Sequence, residues 1–188
     1  MATKTHHAAA VVIPPPEAWR PIQRLRARYD AKVSRWMPHI TLAYPFRPRE
    51  EFESVAGALT AAFAALPAFT IELAQFFHFE HGNERYTLWL APEPREPLLR
   101  IEEALTRALP DCNDVSMYSF GFTPHLSIGQ VTGAARMEEL KALLRRDWEP
   151  VRFGVTEVSL VWRGDPPDDV FRVGAAAPLG RLPPVASS

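Results

Sequence analysis

Several features are scarce in this sequence, and each scarcity excludes a class of protein. Cys112 is the single cysteine among 188 residues, so no intrachain disulfide can form and a cytoplasmic location is expected. No apolar run approaches the roughly 18 residues that a membrane-spanning helix needs. The early run at residues 8–13 is also shorter than the core of a signal peptide, and we predict that it is a strand.

Excess charge of one sign is also missing. The formal net charge is −1, which argues against a protein that coats long nucleic acid through bulk electrostatics. Binding of a nucleic-acid terminus or a small nucleotide through a local patch remains open. Hydrophobic residues make up 47% of the chain, enough for one packed domain, and we expect a monomer.

Hydrophobic spacing predicts the same element order, β-α-β-α-β, twice in succession, with one extra strand at the end. Corresponding elements of the two series lie a similar distance apart in the chain, which indicates an internal duplication. The predicted helices cover residues 19–29, 49–66, 96–109 and 134–146. The predicted strands cover residues 8–13, 39–44, 69–79, 86–91, the segment that follows Pro124, 155–162 and 170–175.

The two series carry the same short motif, "PHITL" in the first and "PHLSI" in the second. Because side chains alternate between the faces of a strand, His39 and Thr41 share one face, and His125 and Ser127 repeat that arrangement. The apolar residues between them point to the other face. If the two halves are related by a pseudo-twofold axis, two imidazoles and two hydroxyls converge.

This set of side chains suits phosphoester chemistry. A neutral imidazole can remove a proton from an attacking oxygen while a protonated one donates a proton to the leaving oxygen. Hydroxyl groups can donate hydrogen bonds to the phosphate oxygens on which charge gathers in the transition state. The candidate catalytic residues are therefore His39 and His125, and the candidate phosphate-binding residues are Thr41 and Ser127.

The doubled motif resembles the signature of the 2H phosphoesterase superfamily, which consists of two His-apolar-Thr/Ser-apolar segments. In this chain they are "HITL" at residues 39–42 and "HLSI" at residues 125–128. More narrowly, the run "MPHITLAYPF" is similar to bacterial RNA 2′,3′-cyclic phosphodiesterases, also called 2′-5′ RNA ligases. The resemblance covers roughly residues 8–175.

The resemblance implies an α+β fold with two lobes related by a pseudo-twofold axis. Each lobe would hold an antiparallel sheet with outer helices, and the active site would lie in the cleft between the two sheets. We therefore expect one bilobal domain over residues 1–177, with lobes at roughly 8–80 and 85–175 that can exchange strands. A flexible tail is expected at residues 178–188.

The resemblance also implies an enzyme that works without a metal ion or cofactor. Family members open 2′,3′-cyclic phosphate ends of RNA to 2′-phosphates, and some join RNA ends through 2′-5′ bonds or act on related cyclic or 2′-5′ linked nucleotides. The expected partner is thus an RNA 3′ end or a small cyclic nucleotide, with no membrane involved. By the same resemblance His125 would activate the water and His39 would protonate the leaving oxygen, although the residues alone leave that order open.

Two other functions fit the same residues. One is an RNA- or nucleotide-binding module of this fold without significant turnover, although intact His-hydroxyl pairs in both motifs favour catalysis. The other is a hydrolase of unrelated cyclic phosphoesters within the same superfamily. A panel of substrates would separate these functions from the first.

Further substrate contacts are expected near the motifs. Several relatives carry an arginine shortly after the second motif, where this chain has Gln130, which can form hydrogen bonds but brings no charge. Phosphate recognition would then involve another arginine, and Arg163 at the end of a predicted strand is the candidate. Aromatic rings near the motifs are candidates for stacking on a base, namely Trp36, Tyr44, Phe46 and Trp162.

Two other groups of residues have simpler interpretations. His78, Glu80 and His81 suggest a metal site, but no fourth ligand is evident, so we favour a solvated hairpin end. Arginines recur at helical spacing on the first predicted helix, where a solvated face is expected and an RNA-contacting stripe is the alternative. They are Arg20, Arg24 and Arg28.

Overall fold

The computed structural model describes residues 3–117 and 121–180, and these residues form four α-helices and eight strands. The helices are α1 (Trp19–Tyr29), α2 (Phe52–Phe63), α3 (Glu96–Ala108) and α4 (Ala134–Asp147). The strands are β1 (Ala8–Val12), β2 (Ile40–Ala43), β3 (Phe69–Glu80), β4 (Arg85–Glu93), β5 (Leu126–Thr132), β6 (Val151–Val155), β7 (Glu157–Trp162) and β8 (Arg172–Pro178).

The four helices lie where the apolar spacing predicts them, and each one contributes apolar side chains to the main core. In α2, for example, Phe52, Val55, Leu59 and Phe63 are all buried, as expected for residues three or four positions apart on one helix face. The α+β class is confirmed. Within the described ranges, no helix is long and apolar enough to cross a membrane.

Two details of the chain differ from the sequence-based expectations. The predicted strand at 155–162 is in fact β7, and the separate strand β6 precedes it, where buried Val151, Phe153 and Val155 alternate with exposed residues. The expectation of a flexible tail from residue 178 onward is wrong for the first residues of that segment. Leu179 is buried, and the backbone N–H of Gly180 donates to carbonyl oxygens at the end of α2 and just beyond it, so this part is packed, while residues 181–188 lie outside the described ranges.

The strands form one continuous antiparallel sheet with the order β6-β3-β4-β5-β2-β1-β7-β8. This corrects the expectation of two separate sheets. The two motif strands, β2 and β5, lie side by side at the centre and are joined by the pair Ile40 and Leu126. We call β2-β1-β7-β8 the first half-sheet and β5-β4-β3-β6 the second half-sheet.

Each half-sheet contains strands from both sequence repeats. The strand β3, from the first repeat, pairs with β4 and β6 in the second half-sheet. In return β7, from the second repeat, pairs with β1 in the first half-sheet. The chain therefore crosses between the halves twice, which ties the two halves into one body.

The sheet has a helix face and an open face. Side chains from all four helices share one large core with alternate strand residues such as Ile40, Leu88 and Leu126. On the open face of the first half-sheet a small cluster includes Val11 and Val161. The motif residues on either side of Ile40 and Leu126 therefore point away from the helices.

Candidate active site

The pairing of Ile40 with Leu126 brings the two motifs together. In an antiparallel pair the flanking residues also lie opposite each other, so this register sets His39 beside Ser127 and Thr41 beside His125. All four point to the open face, because their apolar neighbours point to the helix face. The two histidines are diagonal neighbours across the strand pair, and sheet geometry places the Cα atoms of such neighbours about 7–8 Å apart.

Both imidazoles are held in the same way. The Nδ1 atom of His39 lies 2.8 Å from the carbonyl oxygen of Met37, and Nδ1 of His125 lies 2.8 Å from the carbonyl oxygen of Thr123. Because a carbonyl oxygen only accepts, Nδ1 carries the proton in each ring. Each neutral ring therefore has an unprotonated Nε2 atom, which is the form that a general base needs.

Burial lowers the pKa of both histidines. For His39 the pKa falls to about 4, chiefly by desolvation, with further lowering by the positive charges of Arg26 and His125; the hydrogen bond to Met37 and the charge of Asp30 oppose this. For His125 desolvation lowers the pKa, and the hydrogen bond to Thr123 opposes it. Both rings are therefore neutral near pH 7 in the free protein.

Aromatic stacking supports His39. Its ring stacks on Trp36, with centroids 4.3 Å apart, and Trp36 stacks on Phe171 at 3.5 Å. Two rings this close to one indole must occupy its opposite faces, so Trp36 lies between them. Both faces of Trp36 are therefore occupied, and this residue supports the His39 ring instead of offering a surface for a base.

A different aromatic group surrounds His125. Its ring meets Phe79 edge-on at 4.8 Å and Trp89 at 5.9 Å. Phe77 and Phe79 both stack on Trp89, at 5.2 and 4.9 Å. Phe77 is 41% exposed, so this cluster presents an open aromatic surface next to His125.

Two of the expected substrate contacts lie near the site. Tyr44 packs against the cluster on the open face, 6.1 Å from Trp36, and its hydroxyl donates to the carbonyl oxygen of His6. The guanidinium of Arg163 lies 5.6 Å from the ring of Phe171, which in turn stacks on Trp36. Tyr44 and Arg163 both lie on the open face, on the side formed by the first half-sheet.

Two other expected contacts are wrong because they point away from the open face. Phe46 is fully buried in the main core. Trp162 packs on the helix face, with the Arg49 guanidinium 3.9 Å from its ring. The strand alternation explains this, because Val161 occupies the open face and its neighbour must occupy the other.

Gln130 contacts the end of α1. Its Oε1 accepts a hydrogen bond from the backbone N–H of Ala31 at 3.1 Å. Its Nε2 lies 3.4 Å from Oδ1 of Asp30. The side chain is therefore bound to protein groups at the end of α1.

The histidines outside the motifs have other neighbours. His78 lies 3.9 Å from a carboxylate oxygen of Glu138, and His81 Nε2 lies 2.8 Å from the hydroxyl of Thr87. Among the residues that the structure describes, no group of three or more His, Cys, Asp or Glu side chains is placed to hold a metal ion. The arginines Arg20, Arg24 and Arg28 are exposed on α1.

Sequence reasoning missed Phe79, Trp89 and Phe171. The pairing of β3 with β4, which brings Phe79 and Trp89 together beside His125, depends on sheet order. The alternation of Phe77 and Phe79 on one strand was the available signal. Arg26 and Asp30, which lower and raise the pKa of His39, were missed because a charged pair on a helix normally indicates a solvated surface.

Comparisons with known proteins show the family and the fold. The family model of the 2′-5′ RNA ligase superfamily matches residues 14–167. A Geobacillus kaustophilus protein named "Putative phosphoesterase" is 29% identical over 136 residues, which are 72% of this chain and 75% of that protein. A protein of the same name from Bacillus cereus is 29% identical over 122 residues, 64% of this chain and 67% of its own.

Solved structures show the same fold. The crystal structure of apo E. coli LigT has a TM-score of 0.64 at 17% identity, covering 95% of this chain and all (100%) of that one. LigT complexed with 3′-AMP has a TM-score of 0.64 at 18% identity, covering 93% and 98%. The TT0787 protein of Thermus thermophilus has a TM-score of 0.63 at 16% identity, covering 93% and 98%.

Proposed function

This chain belongs to the 2′-5′ RNA ligase superfamily, and we propose that it is a phosphodiesterase that opens 2′,3′-cyclic phosphate ends of RNA, or hydrolyses related cyclic or 2′-5′ linked nucleotides, without a metal ion. One observation carries this proposal: the Ile40–Leu126 register sets both histidines and both hydroxyls on one open face. The phosphoesterase names of its relatives support the same class of reaction.

The two imidazoles divide the proton transfers. His125, neutral because its pKa is lowered, takes a proton from water as the water oxygen attacks phosphorus. The bond between phosphorus and O3′ breaks, and His39 gives its proton to that oxygen, leaving a 2′-phosphate. A bound phosphate anion favours the protonated form of His39, since an opposite charge within about 4–6 Å raises the pKa of an imidazole.

The hydroxyls of Thr41 and Ser127 bind the phosphate. Each lies beside a histidine of the opposite motif, so both can donate to the non-bridging oxygens of one phosphate. These oxygens gain charge in the transition state, and preorganised donors stabilise that charge. If the 5′-hydroxyl of a second RNA end attacks phosphorus in place of water, the same loss of the bond to O3′ and the same proton transfers would give a 2′-5′ bond, which is the ligase activity in the family name.

The aromatic surface around Phe77 supports a nucleotide as substrate. A base can stack on an exposed ring that is itself fixed by a second ring, and Phe77 stacks on Trp89 next to His125. The structures of E. coli LigT with 3′-AMP and with ATP show that this fold accommodates nucleotides in that protein. On the other side of the site, Tyr44 and Arg163 are the groups available to the rest of the substrate.

The deciding experiment measures turnover of a panel of 2′,3′-cyclic AMP, 2′-5′ linked diadenosine and an ADP-ribose cyclic phosphate, with and without a chelator. We expect wild type to open the cyclic phosphate in the presence of chelator, and His125→Ala to lose at least about 100-fold in kcat, as for removal of a general base. The control is His81→Ala, because His81 is an exposed histidine outside the site.

Three results would contradict the proposal. Activity that disappears with chelator would exclude the two-histidine mechanism. Binding of cyclic AMP without turnover of any panel member would favour the nucleotide-binding module. Turnover of the third compound alone would assign a different cyclic phosphoester.

A further inference from the structure

The last turn of α1 contacts both halves of the candidate site, and we propose that it forms a joint that positions His39 relative to His125. The joint consists of Arg26, Asp30 and Gln130. It rests on the proposed function, because it assigns these three as positioning residues for the same reaction. It also changes the role of Gln130, which the sequence suggested as a substrate contact.

A joint is needed because the two motif strands are weakly connected. Ile40 and Leu126 are the one residue pair that links β2 to β5 within the described residues. A single pair fixes the register at one point and provides little further backbone pairing between the two motifs. Acid-base catalysis requires distances held within a fraction of an ångström, so a second connection between the two motifs is required.

On the side of β2, Arg26 holds the segment on which His39 rests. Its Nη1 donates to the carbonyl oxygen of Trp36 at 2.9 Å. Trp36 stacks on the imidazole, and the next residue, Met37, accepts the hydrogen bond from Nδ1. Both restraints on the His39 ring therefore come from a segment that Arg26 fixes to α1.

On the side of β5, the same helix end is held by two adjacent residues. Gln130 accepts a hydrogen bond from Ala31 and lies 3.4 Å from the Asp30 carboxylate. Next to it, Gly129 lies so close to α1 that a Cβ atom would be 2.3 Å from the carbonyl oxygen of Tyr29. Such a distance is compatible only with glycine, so the end of α1 is pressed directly onto the strand that carries His125.

A buried ion pair connects the two sides. Arg26 and Asp30 are 2% and 8% exposed, and Nη2 and Nε of Arg26 lie 2.8 and 3.0 Å from Oδ2 of Asp30. A buried ion pair adds little net stability because desolvation offsets the attraction, but removing one partner is strongly destabilising. Its geometry is therefore rigid, and it joins the Trp36 carbonyl to Gln130 through one carboxylate.

The main test is Gln130→Ala, because this side chain is exposed and its loss leaves the ion pair intact. We expect kcat for 2′,3′-cyclic AMP to fall about 10- to 100-fold, the usual effect of a small misplacement of catalytic groups, with KM within about twofold of wild type. Thr132→Ala, an exposed change two residues further along β5, is the matched control and should keep wild-type kcat.

A second measurement does not depend on turnover. The imidazole pKa values of His39 and His125 are followed by NMR in the free protein. In Arg26→Lys, which keeps the charge but cannot bind Asp30 and the Trp36 carbonyl together, the pKa of His39 should rise from about 4, because the loosened segment admits water, whereas the pKa of His125 should stay unchanged.

The outcomes separate the two proposals. If wild type turns over no phosphodiester, the proposed function fails, and the shift of the His39 pKa alone decides whether the joint exists. An increase in KM at constant kcat would show that Gln130 contacts the substrate, which overturns the joint. A wild-type kcat in Gln130→Ala together with a wild-type His39 pKa in Arg26→Lys would overturn it as well.

Discussion

Ile40 and Leu126 face each other at the centre of the sheet, one from each repeat of the motif. Both side chains are fully buried on the helix face. The histidines on either side of this pair therefore point to the open face by strand alternation alone. The face that carries both histidines is thus built by a core contact on its opposite side.

The lowered pKa values predict an acidic pH optimum for kcat/KM. Above both pKa values the general acid has lost its proton, and below both the general base has gained one, so the rate falls on each side. Because the pKa of His39 is about 4 and that of His125 is below 6.5, kcat/KM should peak below pH 6.5. It should then decline by about tenfold per pH unit on the alkaline side.

The measurement is kcat/KM for 2′,3′-cyclic AMP between pH 4 and pH 9. An optimum at pH 8 or above would contradict the lowered pKa values. A pH-independent rate would show that neither histidine transfers a proton in the step that limits kcat/KM.

The stability of the fold should depend on pH through His39. Its pKa is about 4 in the folded protein and 6.5 when unperturbed, so between these values the unfolded chain binds more protons than the folded one. The free energy of unfolding therefore decreases as pH falls from 6.5, by about 3 kcal/mol at pH 4 from this group, and the decrease ends below pH 4.

Urea unfolding at pH 7 and pH 4 tests this, with His39→Gln as the comparison. The variant lacks the titrating group, so its stability should fall by about 3 kcal/mol less than that of wild type over the same range. Equal losses in the two proteins would mean that the His39 ring is as well solvated in the folded state as in the unfolded chain.

The α+β class, the four helices and the His-hydroxyl pairs could be predicted from sequence because they depend on local periodicity. The stripe of α2 and the alternation in β2 are visible without knowledge of any partner. The joining of both half-sheets through Ile40 and Leu126 could not be predicted, because strand order is set by contacts between distant segments. The strand β6 could have been predicted, since the apolar residues Val151, Phe153 and Val155 alternate with Arg152 and Gly154.

The supports of the site were harder to foresee. Arg26 lies on α1 near exposed arginines, and only the packed structure shows that it is buried against Asp30 and Trp36. Phe46 and Trp162, in contrast, were expected to contact the substrate, and this expectation was wrong. Closeness in sequence to a motif does not determine the face to which an aromatic side chain points, and both rings pack in the main core.

The open aromatic surface predicts a specific effect of Phe77→Ala. If a base stacks on this ring, its removal should raise KM for 2′,3′-cyclic AMP about 5- to 150-fold, as expected for a loss of about 1–3 kcal/mol, and leave kcat nearly unchanged. For a ribose 2′,3′-cyclic phosphate that lacks a base, KM should not change.

The control for this variant is Leu143→Ala on α4, which removes an apolar side chain of similar exposure, 43% against 41% for Phe77. It should leave both parameters at their wild-type values. An equal rise in KM for the substrates with and without a base would show that Phe77 shapes the site without contacting a base.

The order of the two histidines can be decided by changing the leaving group. A phosphodiester with a p-nitrophenolate leaving group needs no general acid, because that oxygen departs without a proton. If His39 is the acid, His39→Ala should lose about 100-fold or more in kcat with 2′,3′-cyclic AMP but far less with the p-nitrophenyl ester. His125→Ala should lose activity with both substrates, since water must still be activated. The reverse pattern would assign the acid to His125, and equal losses of both variants on both substrates would mean that the two rings act together on the phosphate instead of dividing the proton transfers.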